Sequence, residues 1–268
     1  MILASAPSAP SLTLPLTVLS ALAYVLPALG SQRMTLRWAH AGVITAWLLH
    51  GVVLALGLLT EPPHFGFAPA LSVTAWLVAA VYAVESLIYP QLPTRWTLCT
   101  IGAVAVLLAW LFPGGVLPAS SSVWLPMHLA FGVACYGLFG MAVVHAWFMN
   151  MAEKRIRLGK DTHSGLPLLT LERLTYRFVA AGFVLLSATL VVGLQFGEVV
   201  YGHAWRWDHK TVFSVLSWMT FVVLLLGRSA FGWRGKRAAG VLYMGSAFLL
   251  LAYVGSRFVL EIVMGRVA

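Results

Sequence analysis

The sequence predicts an all-α integral membrane protein that crosses a bilayer about eight times. Three observations carry this. Mean hydropathy is +0.89, with 60% of residues hydrophobic and only 9% charged. The apolar residues fall into repeated runs of about 20, the length that spans a hydrocarbon core as a helix. Clusters of Pro and Gly punctuate the runs where turns are needed.

In chain order the runs predict helices at 12–30, 39–59, 70–89, 95–112, 125–150, 174–196, 209–227 and 238–262. The first, LTLPLTVLSALAYVLPALG, is followed rather than preceded by the first basic residue, Arg33. That order predicts a helix with its N-terminus outside, not a signal peptide. The second carries His40 and His50, and the third carries Glu85 near its end, in AVYAVESLIYP. Glu61-Pro62-Pro63 separates these two, and Pro113-Gly114-Gly115 ends the fourth. The fifth holds His128 near its start and His145 near its end. The seventh and eighth are divided by Gly232 to Gly235. An even number of spans returns both termini to one side. The expectation is a single membrane domain over 1–268, without an internal repeat or a second soluble domain.

Orientation follows from the basic residues, which concentrate on cytoplasmic loops. Assigning loops alternately, one side collects Arg33, Arg37, Arg95, six residues in 151–177, and Arg228, Arg234, Lys236 and Arg237. That is thirteen of seventeen. The other side has Arg206, Lys210, Arg257 and Arg266. The thirteen are expected in the cytoplasm, which makes both termini and the loop 197–210 periplasmic in a bacterial inner membrane. The run EKRIRLGKD (153–161) reads as a cytoplasmic loop meeting anionic lipid.

The net charge of +9 does not imply nucleic acid, because the basic residues punctuate apolar segments and form no continuous patch. Cys99 and Cys135 both lie inside apolar segments, with neither CxxC nor CxxCH in the chain. They read as small packing residues, which leaves thiol exchange and covalent haem attachment without a motif. No catalytic triad, metal-hydrolase or P-loop constellation occurs, so no enzyme is expected.

Against this background the stretch 201–210, YGHAWRWDHK, is out of character. An interfacial aromatic belt would explain scattered tryptophans. Here Trp205 and Trp207 stand two apart, with Arg206 between them and Asp208 adjoining. Flat aromatic faces beside cations suit a planar, anionic, mostly apolar ligand. Haem is one: its macrocycle stacks on indoles and its propionates meet Arg206 and Lys210.

Residues 172–211, ERLTYRFVAAGFVLLSATLVVGLQFGEVVYGHAWRWDHKT, resemble the tryptophan-rich WWD signature of the cytochrome c assembly protein family, which covers the CcsA, CcmC and HemX types. The matching positions are Tyr176, Arg177, Gly182, Glu198, Gly202, Trp205, Trp207, Asp208, Lys210 and Trp218. GWRGKRA (232–238) and AYVGSRFVLE (252–261) resemble the same family, so the likeness runs from about 125 to 262. The helix count is that of its shorter, HemX-like or YpjD-like members. The resemblance implies non-covalent haem b held at a periplasmic WxWD site, in support of cytochrome c-type biogenesis or haem-pathway regulation, with a periplasmic biogenesis partner.

The resemblance also implies an axial histidine from a loop on each side of the motif. The first maps to His128, whose neutral imidazole would ligate iron. The second is missing from the outer end of the last helix. Met264 falls nearest that place, and His64, His203 and His209 are the other outer-side candidates. His209 stands where the pattern usually has proline, and Thr211 where it has glutamate. These departures bear on full synthase activity, not on the tryptophan platform.

Ionisable groups inside a membrane are costly and call for a role. His50 lies about 15 Å along its helix from His40, and His145 about 25 Å from His128. Interhelical hydrogen bonding is the reading adopted for His50 and His145, with haem contact the alternative. Two other functions fit a polytopic chain less well. A b-type electron carrier needs paired histidines on facing helices, and a transporter of another substrate tends to show repeats and broken helices.

Overall fold

The computed structural model describes residues 13–30, 36–59, 62–88, 96–116, 123–159, 167–197 and 207–265. Within them the chain is all-α, apart from one two-residue β-bridge. The helices are α1 (Thr13–Gly30), α2 (Leu36–Leu59), α3 (Phe67–Ile88), α4 (Trp96–Leu111), α5 (Trp124–Arg157), α6 (Leu168–Gln195), α7 (His209–Phe231) and α8 (Gly235–Leu250). The last helix continues beyond α8 as a π-helical turn (Leu251–Gly255), an α turn (Ser256–Phe258) and a second π-helical turn (Val259–Val263). Six helices are long and apolar enough to cross a membrane, and the apolar parts of α1 and α4 are shorter, at Thr13–Leu26 and Leu98–Leu111. This is a polytopic membrane protein, as the hydropathy predicts.

Two boundaries differ from the sequence reading. α5 runs on through the basic stretch to Arg157, so EKRIR is helix rather than loop. Its charges suit that end: Lys154, Arg155 and Arg157 sit in the last turn, where cations oppose the helix dipole, and Glu153 pairs with Arg157 four residues on. α6 starts at Leu168, six residues before the fully apolar run, because Glu172 and its neighbours are buried by other helices.

The helices sort into two compact units, one with α1, α2, α4 and α3 up to Ala79, the other with the rest of α3 and α5 onward. In the first, Tyr24 of α1 is buried against Gly102 of α4, where an added Cβ would come within 2.9 Å of its ring. Small residues let membrane helices approach in this way. Trp47 and Trp76 stack at 4.7 Å, and each indole N–H donates to the other's backbone carbonyl, at 3.1 and 3.0 Å. His50 bridges three helices, with Nδ1 3.2 Å from the Tyr24 hydroxyl and Nε2 2.7 Å from Ser72 Oγ. The β-bridge pairs His64 with Val116 and Phe65 with Gly115. It needs Gly114 at φ 84°, since a Cβ there would lie 2.5 Å from the Gly66 backbone.

The second unit is a four-helix core of α5, α6, α7 and the last helix. Phe139 and Phe221 stack at 3.9 Å in its centre, both buried. Gly182 of α6 lies against Phe139 and Gly245 of α8 against Phe221, at distances a Cβ would crowd. Nearer the other end of α5, His145 and Glu85 of α3 form a 2.8 Å hydrogen bond with both side chains buried. The turn between α7 and α8 is tied down by charge. Arg228 pairs with Glu172 and lies 4.7 Å over the Tyr176 ring, and Arg234 reaches Glu172 at 3.3 Å. Tyr176 donates to the Trp233 carbonyl at 2.9 Å. Gly232 takes the left-handed conformation, and the Trp233 N–H closes the turn on the Gly227 carbonyl.

Candidate functional site

The tryptophan-rich motif leads into α7, at the end of the second unit that carries the starts of α5 and α7 and the finishes of α6 and the last helix. Gly202, His203, Trp205 and Arg206 lie outside the described residues. Trp207, Asp208, His209 and Lys210 are within them.

Asp208 is the N-cap of α7. Its backbone is extended, and Oδ1 accepts the Thr211 N–H at 2.8 Å. Aspartate is favoured there because it satisfies an amide that the first helical turn leaves orphaned. A glutamate at position 211, usual in the resembling pattern, would complete a reciprocal capping box; Thr211 leaves only the forward half. The cap ends the loop sharply, and Trp207 just before it is 71% exposed. A belt residue and a ligand platform both want an exposed indole; this one directly precedes the capped helix start. His209 is exposed in the first turn, and Lys210 is half-buried behind it.

His128 sits in the second turn of α5, half-buried, with the backbone of Thr189 in α6 beside it. One turn earlier Trp124 stacks on Phe196 at 3.7 Å, joining the start of α5 to the end of α6. Trp218, another motif position, stacks on Phe183 at 5.5 Å and donates to Ser187 Oγ at 2.8 Å, which fixes α7 against α6.

The remaining wall is the last helix, and here the structure adds what the sequence reading lacks. The Tyr136 hydroxyl donates to the Leu249 carbonyl of the last helix. A side chain of α5 thus enters the backbone ladder of the last helix at this point. A side chain inserted in the ladder is a known cause of helix distortion, and the π turn at Leu251–Gly255 begins at this point. π turns often mark functional positions. Arg257 follows, its guanidinium 6.0 Å over the Tyr253 ring, with Nε buried and without a hydrogen-bond partner.

Of the proposed second iron ligands, Met264 ends the last helix 51% exposed, and His209 opens α7. His64 belongs to the first unit, in the β-bridge. Among the described residues no three His, Cys, Asp or Glu side chains gather to hold a bare metal ion. His50 and His145 make the interhelical hydrogen bonds expected of them; His40 is outside the described side chains.

The chain was compared with known proteins. The family model described as cytochrome C assembly protein matches residues 13–264. An uncharacterized 28.8 kDa protein in the nifR3-like 5′ region of Azospirillum brasilense is 28% identical, over 85% of this chain and 78% of that protein. The cytochrome c biogenesis protein CcsA of Prochlorococcus marinus subsp. pastoris is 25% identical, over 79% of this chain and 68% of its own length. CcsA of Gloeobacter violaceus is also 25% identical, covering 76% and 80%. With nearly the whole described chain inside one family model, the protein belongs to the cytochrome c assembly protein family.

Proposed function

We propose that this protein binds haem b non-covalently at the WxWD segment and presents it in cytochrome c-type biogenesis, in the inner membrane of a bacterium. The segment and both termini face the periplasm in this reading, and thirteen of seventeen basic residues face the cytoplasm. The family and the relatives named CcsA support the biogenesis role.

The observation that carries the haem reading is the placement of Trp207: a 71% exposed indole immediately before the Asp208 cap of α7. The donor set around it fits the group. Lys210 and the partnerless Nε of Arg257 suit carboxylates. His128, half-buried near the start of α5, would be the residue to hold the iron. Bound haem would supply an iron that accepts neutral imidazole. The chain's own residues bind and orient; Trp205 and Trp207 offer ring faces, Arg206 and Lys210 offer charge, and Gly202 lets the loop backbone approach. Neither bond cleavage nor bond formation is assigned to them. A second ligand to the iron would come from Met264, His203 or His209, or from a periplasmic biogenesis partner.

An electron carrier with haem inside the bundle is disfavoured by the two intramembrane imidazoles. His50 is engaged by Tyr24 and Ser72, and His145 by Glu85.

The test is the absorbance spectrum of the full chain purified in mild detergent after expression with adequate haem supply. A Soret band with near-stoichiometric haem is expected. A monodisperse protein that takes up none, even when haem is added, would rule the reading out.

A further inference from the structure

The turn between α7 and α8 gathers positive charge with little to balance it. Arg228 and Arg234 both reach Oε1 of Glu172, so one carboxylate answers two guanidinium groups. Lys236 and Arg237 follow in the first turn of α8, which contains no acidic residue. Among the described residues neither of them has an acidic partner. Both are exposed, and Arg234 keeps 61% of its side chain in solvent. The start of a helix carries partial positive charge, so cations there are disfavoured unless an anion lies alongside.

The aromatic residues of the same turn indicate where it sits. Phe231, 76% exposed, ends α7, and the Trp233 ring lies 6.4 Å from its own. Arg237 places its guanidinium 4.0 Å over the Trp233 ring. Exposed aromatics beside cations are the composition of a helix end at the lipid–water boundary. Length gives the same position. α7 and the last helix are each long and apolar enough to cross a membrane, and only Gly232, Trp233 and Arg234 join them. A link of that length spans at most about 10 Å, so a turn that leaves and re-enters the bilayer rises about 5 Å. The headgroup layer is roughly 5–7 Å deep on each side. The cations are therefore held among headgroups rather than in bulk water.

We propose that this turn binds the headgroup of an anionic phospholipid, with Lys236 and Arg237 meeting its phosphate and Phe231 and Trp233 packing beside it. The Trp233 ring covers one face of the Arg237 guanidinium and leaves the edge N–H groups to phosphate oxygens, which accept them in pairs. The proposal rests on the membrane fold and is independent of the haem reading. Inorganic phosphate offers the same oxygens, and the test separates it from lipid.

The full-length protein is reconstituted in nanodiscs of equimolar phosphatidylcholine and phosphatidylglycerol, and native mass spectrometry reads the lipids it retains. The wild type is expected to retain phosphatidylglycerol in preference. Lys236→Gln with Arg237→Gln should weaken that preference at least about fivefold, the scale of one basic residue near an anionic surface. This variant keeps Arg228 and Arg234 on Glu172, so the turn stays tied to α6. A matched variant, Lys154→Gln with Arg155→Gln, removes two cations from the end of α5 and should keep the preference. Because both lipids are counted on the same folded protein, a lower yield cannot mimic the result. An unchanged preference in Lys236→Gln with Arg237→Gln would overturn the site. Equal losses in the two variants would overturn it as well, reducing the effect to net charge. Equal retention of both lipids by the wild type would contradict it and leave the patch to a protein partner. Excess inorganic phosphate should leave the lipid in place; displacement would make the occupant a soluble anion and overturn the lipid assignment.

Discussion

Tyr136, midway along α5, donates its hydroxyl proton to the backbone carbonyl of Leu249, 113 residues further along the chain. Replacing it with Phe frees the Leu249 carbonyl to accept from its own helix, as in an ordinary α turn. Removing the extra residue of the π turn would swing the following side chains by about 100°. Arg257 would then leave its position. Tyr136→Phe should therefore lower haem affinity while shifting the melting temperature by no more than about 4 °C, since one hydrogen bond is exchanged for another. Unchanged affinity in a folded variant would mean that the π turn does not place the site.

The His145–Glu85 bond joins residues 60 apart in sequence and lies buried. Each partner keeps one polar atom without a hydrogen bond, Nδ1 of His145 and Oε1 of Glu85. Removing either side should destabilise the protein, and removing both should cost less than the sum. A double-mutant cycle with Glu85→Ala and His145→Ala, followed by unfolding in detergent, should give a coupling of about 1–2 kcal/mol. Strict additivity would reduce the pair to incidental proximity.

Much of the fold was legible in the sequence because the membrane imposes length and hydropathy on each span. The helix positions 39–59 and 209–227 lie within α2 and α7. α5 and α6 extended further because their ends are held by charge: Glu153 with Arg157, and Glu172 with Arg228. Those tertiary pairs leave no periodic trace. At the candidate site the aromatic motif could be read from residue type and spacing, whereas His128 was singled out only through the resemblance to the family. The role of Asp208 as a helix cap could have been read too, from an Asp just ahead of an apolar helix. Arg257 could not. Its significance arises from a tyrosine on another helix entering its backbone ladder, and no local pattern near residue 257 announces that.

His128 is expected to ligate haem iron from α5. His128→Ala should lower haem occupancy and alter the Soret band, and added imidazole should restore part of both. An unaltered spectrum at full occupancy would leave His128 as a helix-end histidine with no part in binding the iron.

The orientation has its own test. In a variant lacking Cys99 and Cys135, single cysteines are placed at Ser121 and at Lys160. An impermeant thiol reagent applied to cells with permeabilised outer membranes should label the first and spare the second. The reverse pattern would place the tryptophan loop in the cytoplasm.

The central claim is that YGHAWRWDHK holds haem, and the haem-to-protein ratio of the monodisperse fraction tests it most directly. Stacking contributes roughly 0.5–1.5 kcal/mol per aromatic pair beyond area burial. A single Trp205→Ala or Trp207→Ala change should therefore weaken binding several-fold, and the double change much more, with the helical bundle intact. Belt tryptophans would behave differently: their loss would lower expression or insertion and leave haem per folded protein constant. The double variant is expected to purify as a folded protein with little haem. A wild-type ratio in that variant would contradict the haem-platform reading and make the loop a membrane anchor.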